Sequence, residues 1–153
     1  MFKAASVGLL LGLMSASAVA EINVHTPYAR ATPPHAPNSA AFMEIVNNGD
    51  KDVFLLSAST AAANTVELHN HEMIDGMMKM RQVKNIKIPA GGMANLEPGG
   101  LHIMLFDLPS PLKEGKTIPL KLTFSDQTSV ALDVPVKRVM AHSKMKHGHE
   151  SGH

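Results

Sequence analysis

The sequence predicts a single all-β domain, a sandwich or barrel, from three observations. Apolar and polar residues alternate with a period of two through most of the chain, turn signals break that alternation every eight to twelve residues or so, and no long helical period appears. With 153 residues, 44% hydrophobic and 18% charged, the chain can build one apolar core but has little room for a second domain.

Taken in order, the candidate strands are Ile22 to His25, Ala40 to Asn47, Lys51 to Ser57, Thr65 to His71, Met77 to Val83, Lys84 to Ile88, Gly92 to Glu97, Leu101 to Phe106, Thr117 to Ser125 and Thr128 to Val136. Pro33-Pro34 and Pro37 make the segment before Asn38 an extended loop, and Asn48-Gly49-Asp50 marks a tight turn after Ala41, Met43 and Ile45. Asp75-Gly76 is a turn between two strands rich in His and Met. Nothing punctuates Val83-Lys84, which leaves open whether the segments around it are one strand or two. The last two strands form the clearest hairpin: Ile118, Leu120, Leu122 and Phe124 alternate, then Val130, Leu132, Val134 and Val136 alternate after Asp126-Gln127. Pro119 and Pro135 fall on the other phase and cannot donate to a ladder, so part of this hairpin is expected at a sheet edge.

The ends read differently. Residues 1–20 place Lys3 before an apolar run from Val7 to Met14 and finish in Ala18-Val19-Ala20, the pattern of a secretory signal peptide cleaved after Ala20. The apolar run is far short of the roughly 20 residues of a spanning helix, so no membrane insertion is expected once the leader is gone. The mature domain is expected over residues 21–138, exported from the cytoplasm. Lys3 is the leader's one charged residue, so its loss takes the 14 basic residues to 13, against 13 acidic ones. That balance excludes the charge surplus of a nucleic-acid binder. Residues 139–153 are read as a flexible His/Met-rich tail, whose His142, Met145, His147, His149 and His153 form a candidate second copper site. Imidazoles on such a segment can adopt the tetragonal geometry of Cu(II).

Cysteine is absent while His reaches 9 and Met 11, so thioether and imidazole are the only soft or borderline donors. This excludes thiol-disulfide exchange, blue-copper centres and cysteine zinc sites. Four residues stand out: His69, Met80, His102 and Met104. In Leu101-His102-Ile103-Met104-Leu105 the alternation puts His102 and Met104 on one face, about 6 to 7 Å apart, and the Asp75-Gly76 turn can bring His69 and Met80 together. Two imidazoles and two thioethers, with no carboxylate or thiolate, suit Cu(I) best.

The spacing of these residues, His-x10-Met-x21-His-x-Met, resembles that of the periplasmic copper chaperones of the PCu(A)C type. The likeness extends through Arg30-Ala31-Thr32-Pro33-Pro34, Asn47-Asn48-Gly49-Asp50, Val66-Glu67-Leu68-His69, Ile88-Pro89-Ala90-Gly91-Gly92 and Pro98-Gly99-Gly100-Leu101-His102, and so covers most of Glu21 to Val136. For a chain of this composition the four-residue spacing arises by chance in roughly two cases per thousand, which makes the match specific. The resemblance implies a cupredoxin-like Greek-key β-sandwich that holds Cu(I) at an exposed site. It also implies delivery to the CuA centre of cytochrome c oxidase subunit II, in company with a Sco-type copper protein.

Blander readings compete at each position. A lone Met104 beside Phe106 is more often core than ligand, but its phase opposite Ile103 favours ligand. His71 shares the strand phase of His69, and Met78 that of Met80; the motif selects His69 and Met80. For His71, Met73 and Met77 or Met78, surface or core filling is preferred over an auxiliary metal contact. Met43 and Met93 are expected in the core, and His25 and His35 on the surface. Pro98-Gly99-Gly100 is read as a structural turn without chemistry of its own. An enzyme is not expected: no Ser-His-Asp or paired-carboxylate pattern can be placed, and a His-brace oxygenase needs histidine where the mature chain has Glu21. A copper sequestration or resistance protein is the nearest alternative to the chaperone, and an adhesive sandwich with incidental Met and His the more distant one.

Overall fold

Residues 21–139 are described by a computed structural model; residues 1–20, expected to be a leader, and the expected tail donors His142, Met145, His147, His149 and His153 lie outside the described residues. Ten strands follow one another: β1 (Ile22–Arg30), β2 (Asn38–Asn47), β3 (Val53–Ser59), β4 (Thr65–Ile74), β5 (Met77–Gln82), β6 (Ile86–Ile88), β7 (Met93–Leu96), β8 (His102–Phe106), β9 (Thr117–Phe124) and β10 (Ser129–Lys137). Among the described residues there is no helix, hence none long and apolar enough to cross a membrane.

The strands form one hydrogen-bonded path in the order β5-β4-β8-β2-β1-β10-β9-β3-β6, with β7 pairing β2. Non-consecutive neighbours such as β4-β8-β2 are the crossovers of a Greek-key arrangement. The path folds over on itself at the short parallel pairing of β1 with β10, Ala29 opposite Val136 and Arg30 opposite Lys137. One layer therefore carries β5, β4, β8, β2 and β1, and the other β10, β9, β3 and β6. Between them lies a core that includes Met43, Ile45, Leu55, Ile103, Leu105, Leu120, Leu122 and Phe124, each under 3% exposed. Burial of each such side chain contributes on the order of 1.5–3 kcal/mol.

One point that the sequence left open is decided, and two details differ from the sequence reading. Segments β5 and β6 are separate strands: β5 pairs with β4 in one layer, β6 with β3 in the other, and the chain crosses between layers just after Val83. Met93 is not in the core but half exposed, because Ala94 and Leu96 take the inward phase of β7. The β9–β10 hairpin lies inside the strand order, yet its prolines do no harm. Pairing of β9 with β3 runs only from Phe124 to Lys121, and pairing of β10 with β1 begins at Val136, so Pro119 and Pro135 sit where the flanking ladder is missing.

Two turns shape the region that follows. At Asp75-Gly76 both residues have positive φ, 51° and 76°, as a two-residue type I′ turn requires, and the turn closes the β4–β5 hairpin onto the pair Ile74–Met77. The Glu97 carbonyl accepts the Gly100 N–H at 3.0 Å, with Pro98 second and Gly99 third at φ 85°, the signature of a type II turn.

The turn after β2 depends on Asn47, which is fully buried. Its amide donates to the carbonyls of Lys51 (2.7 Å) and Ile88 (3.1 Å), and its side-chain oxygen accepts the Gly49 N–H (2.9 Å). Alanine at this position strands all three backbone groups, so Asn47→Ala is expected to cost about 2–3 kcal/mol. Urea unfolding should show a lower midpoint at unchanged slope; a loss below about 0.5 kcal/mol would mean that the turn holds without this side chain.

Candidate metal centre

The β4, β5, β8 and β2 strands present an outward face opposite the core, and the registers determine which side chains meet there. His69 lies opposite His102 and Glu67 opposite Met104 across β4 and β8. His71 lies opposite Met80 across β4 and β5, and Ala40 opposite Met104 across β8 and β2. Directly opposed residues in an antiparallel pair point to the same side, so all of these share one face. On β8 the core takes Ile103 and Leu105, leaving His102 and Met104 on that outward side.

Met80, His102 and Met104 line one cleft of about 220 Å3, together with His71, Phe42 and Arg30. His69 does not line the cleft but stands next to it, with its ring centroid 5.8 Å from that of His102. The ring of His71 is nearer still, at 5.2 Å. The four residues singled out by spacing are therefore neighbours on one surface. The two histidines are buried (8% and 3% exposed), whereas Met80 is 44% exposed and Met104 partly so.

The hydrogen bonds specify where the lone pairs lie. The Nδ1–H of His102 donates to the Gly100 carbonyl at 2.9 Å, since a carbonyl can only accept. In the neutral ring Nε2 then carries a lone pair, and Nε2 is 3.0 Å from the Sδ of Met80, a thioether with no proton to give. Two electron-pair donors thus face each other at close range. His102 is held neutral because burial lowers its pKa from 6.5; the Gly100 carbonyl pulls the other way, and the proximity of His71, His69 and Arg30 adds to the lowering.

The Nε2–H of His69 donates to Oε2 of Glu67 at 2.7 Å, and its Nδ1 is enclosed with no hydrogen-bond partner. One ring nitrogen tied to a carboxylate or carbonyl, the other left with a free lone pair, is the pattern in which histidine ligates metals. Among the described residues no three His, Asp or Glu side chains gather closely enough to hold an ion by themselves, and the further donors beside these rings are the thioethers of Met80 and Met104. A soft ion is the natural match for such a donor set.

Sequence reasoning missed Glu67 as a partner of His69, although its position two residues away on a strand puts it on the same face. It also missed Phe42, which is 3% exposed and packs outside the main core, 5.2 Å from Tyr28 and 6.2 Å from His102, with the Arg30 guanidinium 5.4 Å over its ring. Phe42 and Arg30 wall the cleft on the β2 side. His25 and His35 are on the surface, as expected.

The family model described as "Putative lipoprotein LpqE-like" matches residues 22–136. A curated relative, "Putative lipoprotein Lxx21020" of Leifsonia xyli subsp. xyli (strain CTCB07), is 38% identical over 100 residues, which span 65% of this chain and 60% of that protein; the match thus takes in less than two thirds of the relative's length. Among solved structures, the copper-bound PCuAC domain from PmoF2 superposes with a TM-score of 0.66 at 23% identity, over 77% of this chain and 93% of that one, a likeness of fold. The solution structure of CuI-DR1885 from Deinococcus radiodurans superposes with a TM-score of 0.64 at 32% identity, over 82% of this chain and 85% of that one. The all-β architecture is thus the cupredoxin-like sandwich expected. With the matched span running from the first strand to the last, the chain belongs to the LpqE-like family, and its fold is of the PCuAC type.

Proposed function

We propose that this protein is a copper chaperone of the bacterial envelope, working in the periplasm. In this reading it holds Cu(I) through His69, Met80, His102 and Met104 and passes the ion to a partner. The observation that carries the reading is the 3.0 Å approach of the His102 Nε2 lone pair to the Met80 sulfur, with the His102 proton committed to the Gly100 carbonyl. The copper-bound PmoF2 domain and CuI-DR1885 support it by likeness, and the lipoprotein name of the Leifsonia relative supports an envelope location. All four ligands are neutral, so the bound ion keeps its single charge and can leave by exchange of one uncharged donor for another. That suits a carrier better than an enzyme. The proposed recipient is the CuA centre of cytochrome c oxidase subunit II, with a Sco-type protein on the same route, and the tail is proposed to capture Cu(II).

Sequestration against copper stress is the rival, because half-exposed Met80 would serve storage as well as release. Deleting the gene separates the two: loss of oxidase activity at low copper indicates delivery, whereas sensitivity to excess copper alone indicates sequestration.

Anaerobic Cu(I) titration against a competing chelator should show a tightest, first equivalent that disappears in the His102→Ala, Met104→Ala double variant; retention of that equivalent would remove the site from the account. Glu67→Ala leaves all four ligands in place but frees the His69 ring. Its affinity should drop by about tenfold to a hundredfold, the usual cost of losing the group that orients a ligating histidine.

The metal-free protein should also show a pH effect. With the folded pKa of His102 below 6.5, the unfolded chain takes up this proton first. The contribution to stability is therefore complete above pH 6.5 and is lost as pH falls through the window beneath it. Imidazole NMR resonances followed between pH 4 and 8 should place the His102 midpoint below 6.5; a midpoint at or above that value would contradict the burial argument.

A further inference from the structure

The β4–β5 hairpin continues the outward face past the proposed copper site to its tip. Beyond His71–Met80 the next same-face pair is Met73–Met78, 65% and 55% exposed. Directly opposed side chains have Cβ atoms about 4.5–5.5 Å apart, and successive same-face positions on a strand are about 6.6 Å apart. Two thioethers at the tip and the His71 imidazole one step inward can therefore converge on a single ion. His71 also has an enclosed Nδ1 with no hydrogen-bond partner, although its ring is next to His102. Neither Met73 nor Met78 packs on the core. The edge strand they crown carries Lys79 and Arg81 on its opposite phase, as edge strands commonly do to resist pairing with another chain.

We propose that Met73, Met78 and His71 form a second Cu(I) site at the hairpin tip, from which the ion moves to the main site by way of His71. The inference rests on the reading of the main site as a Cu(I) site. At each step a neutral nitrogen or sulfur donor replaces another, the copper remains Cu(I), and no electron or proton is transferred. His71, whose ring centroid is 5.2 Å from that of His102 and which sits opposite Met80, joins the two sites.

The test is an anaerobic titration of the full mature chain, labelled at the methionine methyl groups, with Cu(I) and NMR detection. Met80 and Met104 methyls should shift during the first equivalent, and Met73 and Met78 during the second. Met77 is as exposed as Met73 (63% against 65%) but lies on the opposite phase of the strand, so its methyl should stay in place. A Met73→Leu, Met78→Leu variant should keep the first equivalent, with affinity within about twofold of the parent, and lose the second from the hairpin. If Met73 and Met78 stay still through two equivalents, or if Met77 moves with them, the hairpin site is refuted. The first equivalent judges the main site separately: if Met80 and Met104 do not respond to it, the main-site reading falls, and the Met73 and Met78 signals still decide whether the hairpin binds copper.

Discussion

The two-residue period of β8 is the constraint on which the rest depends. Ile103 and Leu105 are fully buried between the layers, so the alternate positions, His102 and Met104, have to face outward. A slip of one residue would exchange the faces, pushing two large apolar side chains into water and an imidazole into the core. Losing that apolar burial alone would cost on the order of 3–6 kcal/mol, a large share of the stability of an ordinary domain. The position of the outward donors is thus guaranteed by the packing of residues that have no chemistry themselves.

Polar groups at this site differ from the other buried polar side chains among the described residues. Buried Asn47 and Ser39 each hydrogen-bond to backbone groups. By contrast, the Nδ1 atoms of His69 and His71 are enclosed and have no partner, and a buried polar atom left so costs about 1–3 kcal/mol. Such costs gather where a site needs lone pairs directed at something other than a proton. The turn Glu97–Gly100 and the Glu67 carboxylate contribute in the same way: each takes the proton-bearing nitrogen of one histidine and leaves the other nitrogen free.

Much of this was legible in the chain itself. Each of the ten candidate strands has its counterpart, since period-two patterning and Gly, Pro and Asn punctuation are local properties. The spacing of His69, Met80, His102 and Met104 singled out four residues that do come close in space. Reasoning failed where the answer depended on a distant segment. Met93 looked inward until Ala94 and Leu96 claimed that phase, and Val83-Lys84 carries no local mark of the crossing between layers. Pro119 and Pro135 were correctly read as incompatible with a complete ladder. Whether they stood at an outer edge or at a gap inside the sheet depended on where β3 and β1 end.

The sequence by itself determined the donor chemistry and the fold class, because a chain with 9 His, 11 Met and no Cys offers only imidazole and thioether as soft or borderline donors, and alternation is a one-dimensional property. The tertiary structure alone decided which donors meet. Residues on β4, β5 and β8 become neighbours only through the crossover that inserts β8 between β4 and β2, and that pairing brought in Glu67, His71 and the Phe42 wall. It also decided which nitrogen of each histidine is free, because a ring tautomer follows from the acceptor placed beside it, and that acceptor is a matter of three-dimensional position.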